Sequence, residues 1–171
     1  MNMICIPITA RSAEDVVSEM ISTSKYADIV ELRIDYIPEL RNAETCIEES
    51  LKSKTKPVII TNRPEREGGK FIGSEQDRLR LLQKAIELGA DYVDVEYDSI
   101  KQITKRNSSK IIISHHNFKE TPHNISKIYD DICQHNPDIV KIVTHANDIT
   151  DNIRIFELLE SAKVPTISFC M

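Results

Sequence analysis

Seven short apolar runs, rich in β-branched residues, recur along the chain. They lie at residues 3–8, 28–34, 57–61, 91–95, 110–114, 138–143 and 164–169. The runs are largely continuous and do not alternate between apolar and polar positions, which is typical of parallel strands that are buried on both faces. We therefore predict seven parallel strands.

Helical patterns fill the segments between these strands. Ser12 with Asp15, and Ser74 with Asp77, form capping-box-like pairs that predict two helix starts, and Gly89 is predicted to end the second helix. The predicted apolar faces are Val16, Val17 and Met20 in the first helix and Leu79, Leu82, Ala85 and Ile86 in the second.

The remaining helix predictions rest on weaker signals. Thr121-Pro122 predicts the start of a helix that ends near Asn136-Pro137. Asp148 or Thr150 predicts the start of another helix, whose inward residues would be Ile153, Phe156 and Leu159. Residues 42–54 predict a further helix, and residues 98–106 a short one.

Strands that alternate with helices predict βαβ units and a parallel sheet. This pattern fits either a (β/α)8 barrel or an open, doubly wound sheet. No glycine-rich fingerprint follows the first predicted strand, which disfavours a dinucleotide-binding function.

Composition and charge narrow the classes of partner. The 171 residues predict one domain over positions 1–171, and 40% hydrophobic with 29% charged residues is an ordinary globular composition. The net charge is −5 without a basic stripe, so a nucleic-acid partner is not expected. The longest apolar runs have about five residues, whereas a membrane span needs roughly 20. No membrane partner is therefore expected.

The N-terminus and the cysteines favour a cytoplasmic protein. The first residues lack a basic region followed by a long apolar segment, so no signal peptide is predicted. The cysteines show no C-x-x-C spacing, which predicts reduced thiols and no zinc or other metal site. They are Cys5, Cys46, Cys133 and Cys170.

Charged and polar residues gather at the predicted C-terminal ends of the strands, where β/α barrels carry their functional groups. They are Glu31 and Arg33 at the second strand, Arg63 and Glu67 after the third, Glu96 at the fourth, His115 and His116 after the fifth, and Lys141 in the sixth. Burial disfavours the ammonium form of a strand lysine and leaves more of the neutral amine that Schiff-base chemistry needs. A nearby histidine moves protons at neutral pH.

Each of these residues also has a structural interpretation. Lys141 fits a strand-end residue with its ammonium group in water, and His116 fits a hydrogen-bonded loop residue. Glu31 with Arg33 fits an ion pair on one side of a strand, and Arg63 with Glu67 fits a solvated turn. The functional interpretation gains support because all of these residues fall at one predicted rim.

Four motifs, in this order and spacing, resemble the type I 3-dehydroquinate dehydratase family. They are Glu31-Leu-Arg-Ile-Asp, Arg63-x-x-x-Glu67-Gly-Gly, Ser114-x-His116-Asn-Phe and Lys141-Ile. The resemblance covers residues 4–171 and implies a (β/α)8 TIM barrel of the class I aldolase type.

The resemblance also implies roles for single residues. Lys141 matches the Schiff-base lysine, His116 the general acid/base, and Glu67 a carboxylate that helps to orient the histidine. Glu31, Arg33 and Arg63 match residues that bind the substrate's hydroxyls and ring, whereas His115 is expected to be a neighbour and Glu96 a buried anchor. The implied reaction is dehydration of 3-dehydroquinate in the shikimate pathway, without metal or organic cofactor, in a cytoplasmic homodimer.

The chain departs from the family pattern at two places. It ends at Met171, before the eighth βα unit and its carboxylate-binding arginine, so we expect the 171-residue chain alone to be marginally stable and poorly active. His145 stands where the family has an apolar residue, and a structural role is expected for it. Two alternatives stay open: a non-catalytic relic of the same fold, or another class I aldolase-type enzyme.

Overall fold

The computed structural model describes residues 3–104 and 107–171. The described residues group into two compact units. The first comprises residues up to Asp94 together with the segment around Gln102–Ser109, and the second comprises Val95–Lys101 and Lys110–Met171. The strand order follows the chain order from β1 to β7, and the predicted strands are confirmed with shifts of one or two residues at their ends.

The first unit contains parallel strands, and an α-helix follows each of its first three strands. The strands are β1 (Cys5–Ile8), β2 (Ile29–Arg33), β3 (Val58–Thr61) and the beginning of β4 (Tyr92–Glu96), and the helices are α1 (Ala13–Thr23), α2 (Leu40–Ser53) and α3 (Glu75–Glu87). Glu31 is paired with Pro7 on one side and Ile59 on the other, and Thr61 is paired with Asp94. Short 3-10 turns follow β2 and β3, at Ile34–Tyr36 and Glu65–Glu67.

The second unit continues the same alternation. Its strands are the end of β4, β5 (Lys110–His116), β6 (Ile139–Thr144) and β7 (Thr166–Cys170), and its helices are α4 (Ile125–Cys133) and α5 (Asp151–Ser161). β6 pairs in parallel with both β5 and β7. The predicted parallel α/β class is therefore confirmed.

Capping serines and a terminal glycine set the boundaries of α1 and α3. The Ser12 hydroxyl accepts a hydrogen bond from the Asp15 backbone N–H at 3.2 Å, and Ser74 accepts one from Asp77 at 3.0 Å, so both predicted caps are confirmed. Gly89 adopts φ 82° directly after α3, a conformation that favours glycine. The apolar face predicted for α3 is fully buried, and in α1 Val16 and Met20 are buried while Val17 is half-buried.

Two helix predictions were wrong in detail. In α5 the buried apolar residues are Ile155 and Leu158, whereas Ile153, Phe156 and Leu159 are exposed. The segment has apolar residues on both sides, so its periodicity did not reveal which side packs inward. Helix α4 begins at Ile125 and not at Thr121-Pro122. The Thr121 hydroxyl instead contacts the segment after β6, where it donates to the His145 backbone oxygen at 3.0 Å.

The helices predicted at 42–54 and at 98–106 had different outcomes. The helix predicted at 42–54 is confirmed as α2, whereas the segment 98–106 contains only a 3-10 turn at Ile100–Gln102 among its described residues. Lys105 and Arg106, which belonged to that prediction, lie outside the described residues. Within the described part of the chain, no helix combines the length and the apolar character that crossing a membrane requires.

Candidate active site

The first unit carries a polar sheet face at the ends of β2, β3 and β4. Register pairing places Glu31, Arg33, Thr61 and Asp94 on one face, since residues paired in a parallel sheet point the same way. The opposite face carries fully buried apolar residues such as Leu32, Ile60 and Val93. The Thr61 hydroxyl donates a hydrogen bond to a Glu31 carboxylate oxygen at 2.6 Å.

Arg33 is held by a carboxylate two residues along the chain. Its Nε and Nη2 donate to the two oxygens of Asp35 at 2.8 and 2.7 Å, and its guanidinium lies 5.2 Å from the centre of the Tyr36 ring. Burial lowers the pKa of Arg33, but the hydrogen bonds and charge of Asp35 outweigh burial and hold that pKa above its usual value. The charges of Glu31 and Arg63 also act on Arg33, so these three predicted substrate-binding residues lie near one another.

Arg63 is buried directly after β3. Its Nη2 donates to Asp94 at 2.6 Å, and its Nη1 lies 4.0 Å from a Glu67 oxygen. The loop that follows packs closely against Arg63: a Cβ added to Gly69 would lie 1.8 Å from the Arg63 backbone oxygen, so no other residue fits there without movement. Four of the predicted site residues are thus brought together in the first unit.

The loop after β3 is anchored by Arg78, an α3 residue whose side chain is fully buried. It donates to the Asn62 backbone oxygen at 2.9 Å and to Glu75 at 2.7 Å, and the Asn62 amide donates to the Arg78 backbone oxygen at 3.2 Å. This reciprocal pairing fixes the chain immediately before Arg63.

The second unit carries the predicted lysine and histidines. Lys141 pairs in register with Ser114, and Val143 pairs with His116, so Lys141 and His116 lie on the same face of the sheet. His115 pairs with Ile142 and therefore points to the opposite face. The His116 and Phe118 rings stack with centroids 6.2 Å apart.

Glu96 and His145 lie at the ends of β4 and β6. Glu96 is fully buried at the end of β4, as predicted. β6 ends at Thr144, so His145 follows the strand and is half-buried. The buried Thr121 hydroxyl contacts both the Thr144 hydroxyl and the His145 backbone oxygen.

The family model of type I 3-dehydroquinase matches residues 4–171. The chain belongs to this family. A relative from Pyrococcus abyssi, named 3-dehydroquinate dehydratase, is 37% identical over 176 residues, which are 99% of this chain and 78% of the relative. The bifunctional 3-dehydroquinate dehydratase/shikimate dehydrogenase of Arabidopsis thaliana is 37% identical over 179 residues, but the chain spans only 30% of its length.

Solved structures agree with the family assignment. The 3-dehydroquinate dehydratase of Geobacillus kaustophilus superposes with a TM-score of 0.88 at 22% identity, over 100% of this chain and 74% of that one. The enzyme from Enterococcus faecalis superposes with a TM-score of 0.83 at 26% identity, over 99% of this chain and 79% of that one. The predicted fold class, a β/α barrel of the type I dehydroquinase kind with seven of its strands in this chain, is confirmed.

Several residues that build the site were absent from the sequence-based selection. Asp35 belongs to the Glu31–Asp35 motif, and its position two residues after Arg33 was the available signal. Asp94 and Arg78 reach their partners across 31 and 16 residues of chain, respectively. A charged residue within an apolar strand marked Asp94, whereas Arg78 lies in a polar stretch of sequence and nothing local marked it.

Proposed function

We propose that this dehydroquinase-family protein converts 3-dehydroquinate to 3-dehydroshikimate, in the shikimate route to chorismate and aromatic amino acids, through a Schiff base on Lys141. One observation supports this most: Lys141, in a strand of otherwise apolar residues and threonine, shares a sheet face with Ser114 and His116. An amine and an imidazole on one face are the two groups that imine formation followed by proton transfer requires.

The proposed reaction starts at the ketone. The neutral Lys141 amine attacks C3 of the substrate and expels water to give an iminium ion, which draws electrons and acidifies the protons at C2. His116 removes one of these protons and leaves an enamine. The enamine electrons expel the C1 hydroxyl as His116 returns the proton to it. Water then hydrolyses the imine, releases the product and regenerates Lys141.

The other predicted residues take supporting roles in this proposal. Glu31, Arg33 and Arg63 bind the hydroxyls and ring of the substrate, and Glu67 helps to orient His116. The hydrogen bonds and ion pairs of the first three would limit their movement, which lowers the entropy cost of holding substrate in a reactive geometry. No metal or organic cofactor takes part, since the iminium itself serves as the electron sink.

Covalent trapping tests the proposal. The protein is incubated with dehydroquinate and sodium borohydride, digested, and analysed by mass spectrometry. We expect the reduced adduct on Lys141, its loss in Lys141→Met, and its retention in Lys127→Met, which alters an exposed lysine of α4. An adduct on another lysine with Lys141 unmodified would contradict the assignment, and no adduct at all would contradict the proposed function.

Assembly and location follow from the same proposal. We propose a homodimer that acts in the cytoplasm, as the family resemblance implies. Sedimentation velocity over a hundredfold range of concentration tests the first part, and a single species with the mass of one chain at every concentration would contradict it.

A further inference from the structure

Each of the two arginines proposed to bind substrate is held by a buried carboxylate that the proposed function leaves without a role. Asp35 holds Arg33 and Asp94 holds Arg63. Both aspartate side chains are fully inaccessible to solvent, whereas the side chain of Arg33 is 20% exposed and that of Arg63 is 4% exposed. The carboxylates therefore lie behind the arginines and do not contact solvent themselves.

Asp35 connects Arg33 to a second loop. Its two oxygens accept the Nε and Nη2 hydrogen bonds of Arg33, and Oδ2 also accepts one from the Lys70 backbone N–H at 3.0 Å. Two parallel hydrogen bonds fix the plane of a guanidinium as well as its position. Asp35 thus sets the orientation of Arg33 and ties it to the loop after β3.

Asp94 acts on Arg63 from the neighbouring strand. The 2.6 Å ion pair joins two nearly inaccessible side chains, so removing the carboxylate would leave a buried guanidinium without its closest counter-charge. Asp94 is also the register partner of Thr61, which donates to Glu31. The carboxylate therefore belongs to the same polar face as the predicted substrate-binding residues.

We infer that Asp35 and Asp94 are positioning residues for substrate recognition and act through Arg33 and Arg63; this inference rests on the proposed function. The Nε–Nη2 edge of Arg33 is occupied by Asp35, so that edge does not take a second carboxylate. A guanidinium whose charge is already balanced is suited to neutral hydroxyl acceptors. The pairs therefore favour recognition of the hydroxyl-bearing part of a polyhydroxy substrate over recognition of its carboxylate.

Double-mutant cycles test the inference. For each variant, the readout is the dehydroquinate concentration at which the borohydride adduct on Lys141 reaches half of its maximum. Asp35→Asn is expected to raise this concentration about 10- to 100-fold, since hydrogen bonds to charged groups contribute about 1.5–3 kcal/mol. The adduct yield at saturating substrate should change much less, because imine formation does not involve Arg33. Asp94→Asn should behave in the same way.

Asp91→Asn is the matched control. Asp91 accepts from Lys54 Nζ at 2.7 Å and from the Val58 backbone N–H at 2.9 Å, so it makes an ion pair and a backbone bond as Asp35 does. It lies before β4, whereas Asp35 follows the end of β2. We expect Asp91→Asn to change thermal stability without raising the half-saturating concentration.

The cycles separate positioning from a general structural effect. Asp35→Asn should add little in an Arg33→Met background but its full effect in an Arg63→Met background, because only coupled residues are non-additive. Arg33→Lys keeps the positive charge but lacks the Nε–Nη2 edge that pairs with Asp35. It should raise the half-saturating concentration as Asp35→Asn does, and it tests the inference even if an aspartate variant does not fold.

The outcomes distinguish the inference from the function on which it rests. Additivity of Asp35→Asn with Arg33→Met, or wild-type half-saturation in Arg33→Lys, would overturn the inference while wild-type trapping still supports the function. A wild-type protein that forms no adduct would overturn the proposed function and the inference with it.

Discussion

At the scale of single residues, the register of β5 and β6 decides which histidine can act with Lys141. His115 and His116 are adjacent in sequence and carry the same imidazole group, but they lie on opposite faces of the sheet. Sequence resemblance pointed to His116, and register pairing supplies an independent physical argument for the same choice.

Substitution of each histidine checks this argument. His116→Ala should slow dehydration about 10²- to 10⁴-fold, the usual contribution of general acid/base catalysis, while trapping of an imine on Lys141 persists. His115→Ala should cost far less, because His115 faces away from Lys141. Steady-state rates together with borohydride trapping measure both effects. A larger loss of rate in His115→Ala than in His116→Ala would contradict the assignment of His116.

Asp151, at the start of α5, links folding stability to pH. The hydrogen bond from the Asn147 backbone N–H lowers the pKa of Asp151, with smaller contributions from Asp148 N–H and the Arg154 charge, against the opposing effect of burial. A carboxyl with a lowered folded pKa contributes stability above its unfolded pKa, about 3.9, and this contribution is lost as pH falls through the folded value.

We therefore expect Asp151→Asn to be less stable than wild type at pH 7 and to lose less stability on acidification. Urea unfolding of both proteins between pH 7 and pH 2.5 tests this. The difference in the free energy of unfolding should shrink as pH falls below about 4. A constant difference across the series would show that the Asp151 charge does not matter to folding.

At the scale of elements, the close packing of the loop after β3 against Arg63 gives a matched pair of glycine variants. In Gly69→Ala the new Cβ would meet the Arg63 backbone. This clash should lower the free energy of unfolding by about 1–3 kcal/mol and displace Arg63. In Gly89→Ala the Cβ meets nothing within 4 Å, and the positive φ alone should cost about 1–2 kcal/mol.

The two variants should therefore differ in function more than in stability. Chemical unfolding and the half-saturating dehydroquinate concentration measure the two properties, and only Gly69→Ala should weaken substrate binding. Equal binding by both variants would mean that the loop is not needed to position Arg63.

Elements also show where sequence reasoning succeeds. The Ser12 and Ser74 caps and the Gly89 stop depend on residues three or four positions apart, so the sequence contains all of the interaction. The inward side of α5 depends on what packs against it, and with apolar residues on both sides the local pattern is ambiguous. Arg63 was selected correctly, but its contact with Asp94, 31 residues away, needed the fold.

At the scale of the whole molecule, both units expose large apolar side chains, and in the second unit several of them lie on α5 and β7. Phe156 is 65% exposed and Phe169 is 48% exposed, alongside exposed Ile153 and Ile167. Exposed apolar clusters promote association or aggregation. They contribute little to the folding of the chain that carries them.

Substitution at α5 separates exposed from buried apolar residues. Phe156→Ser should leave the free energy of unfolding within about 0.5 kcal/mol of wild type and reduce both self-association and binding of a hydrophobic dye. Leu158→Ala, at a position only 2% exposed, should cost about 2–5 kcal/mol. Unfolding, light scattering and dye fluorescence measure these effects, and a strongly destabilised Phe156→Ser would contradict the observed orientation of α5.

The adjacent histidines of β5 have a consequence for one-residue insertions in this strand. Gain of one residue upstream in β5 turns every following side chain to the other face of the sheet, which in most strands would remove a functional group. Here the shift would move His115 into the position opposite Val143 that His116 occupies. An imidazole would still face the side of Lys141 after this insertion, whereas a strand carrying only His116 would lose it.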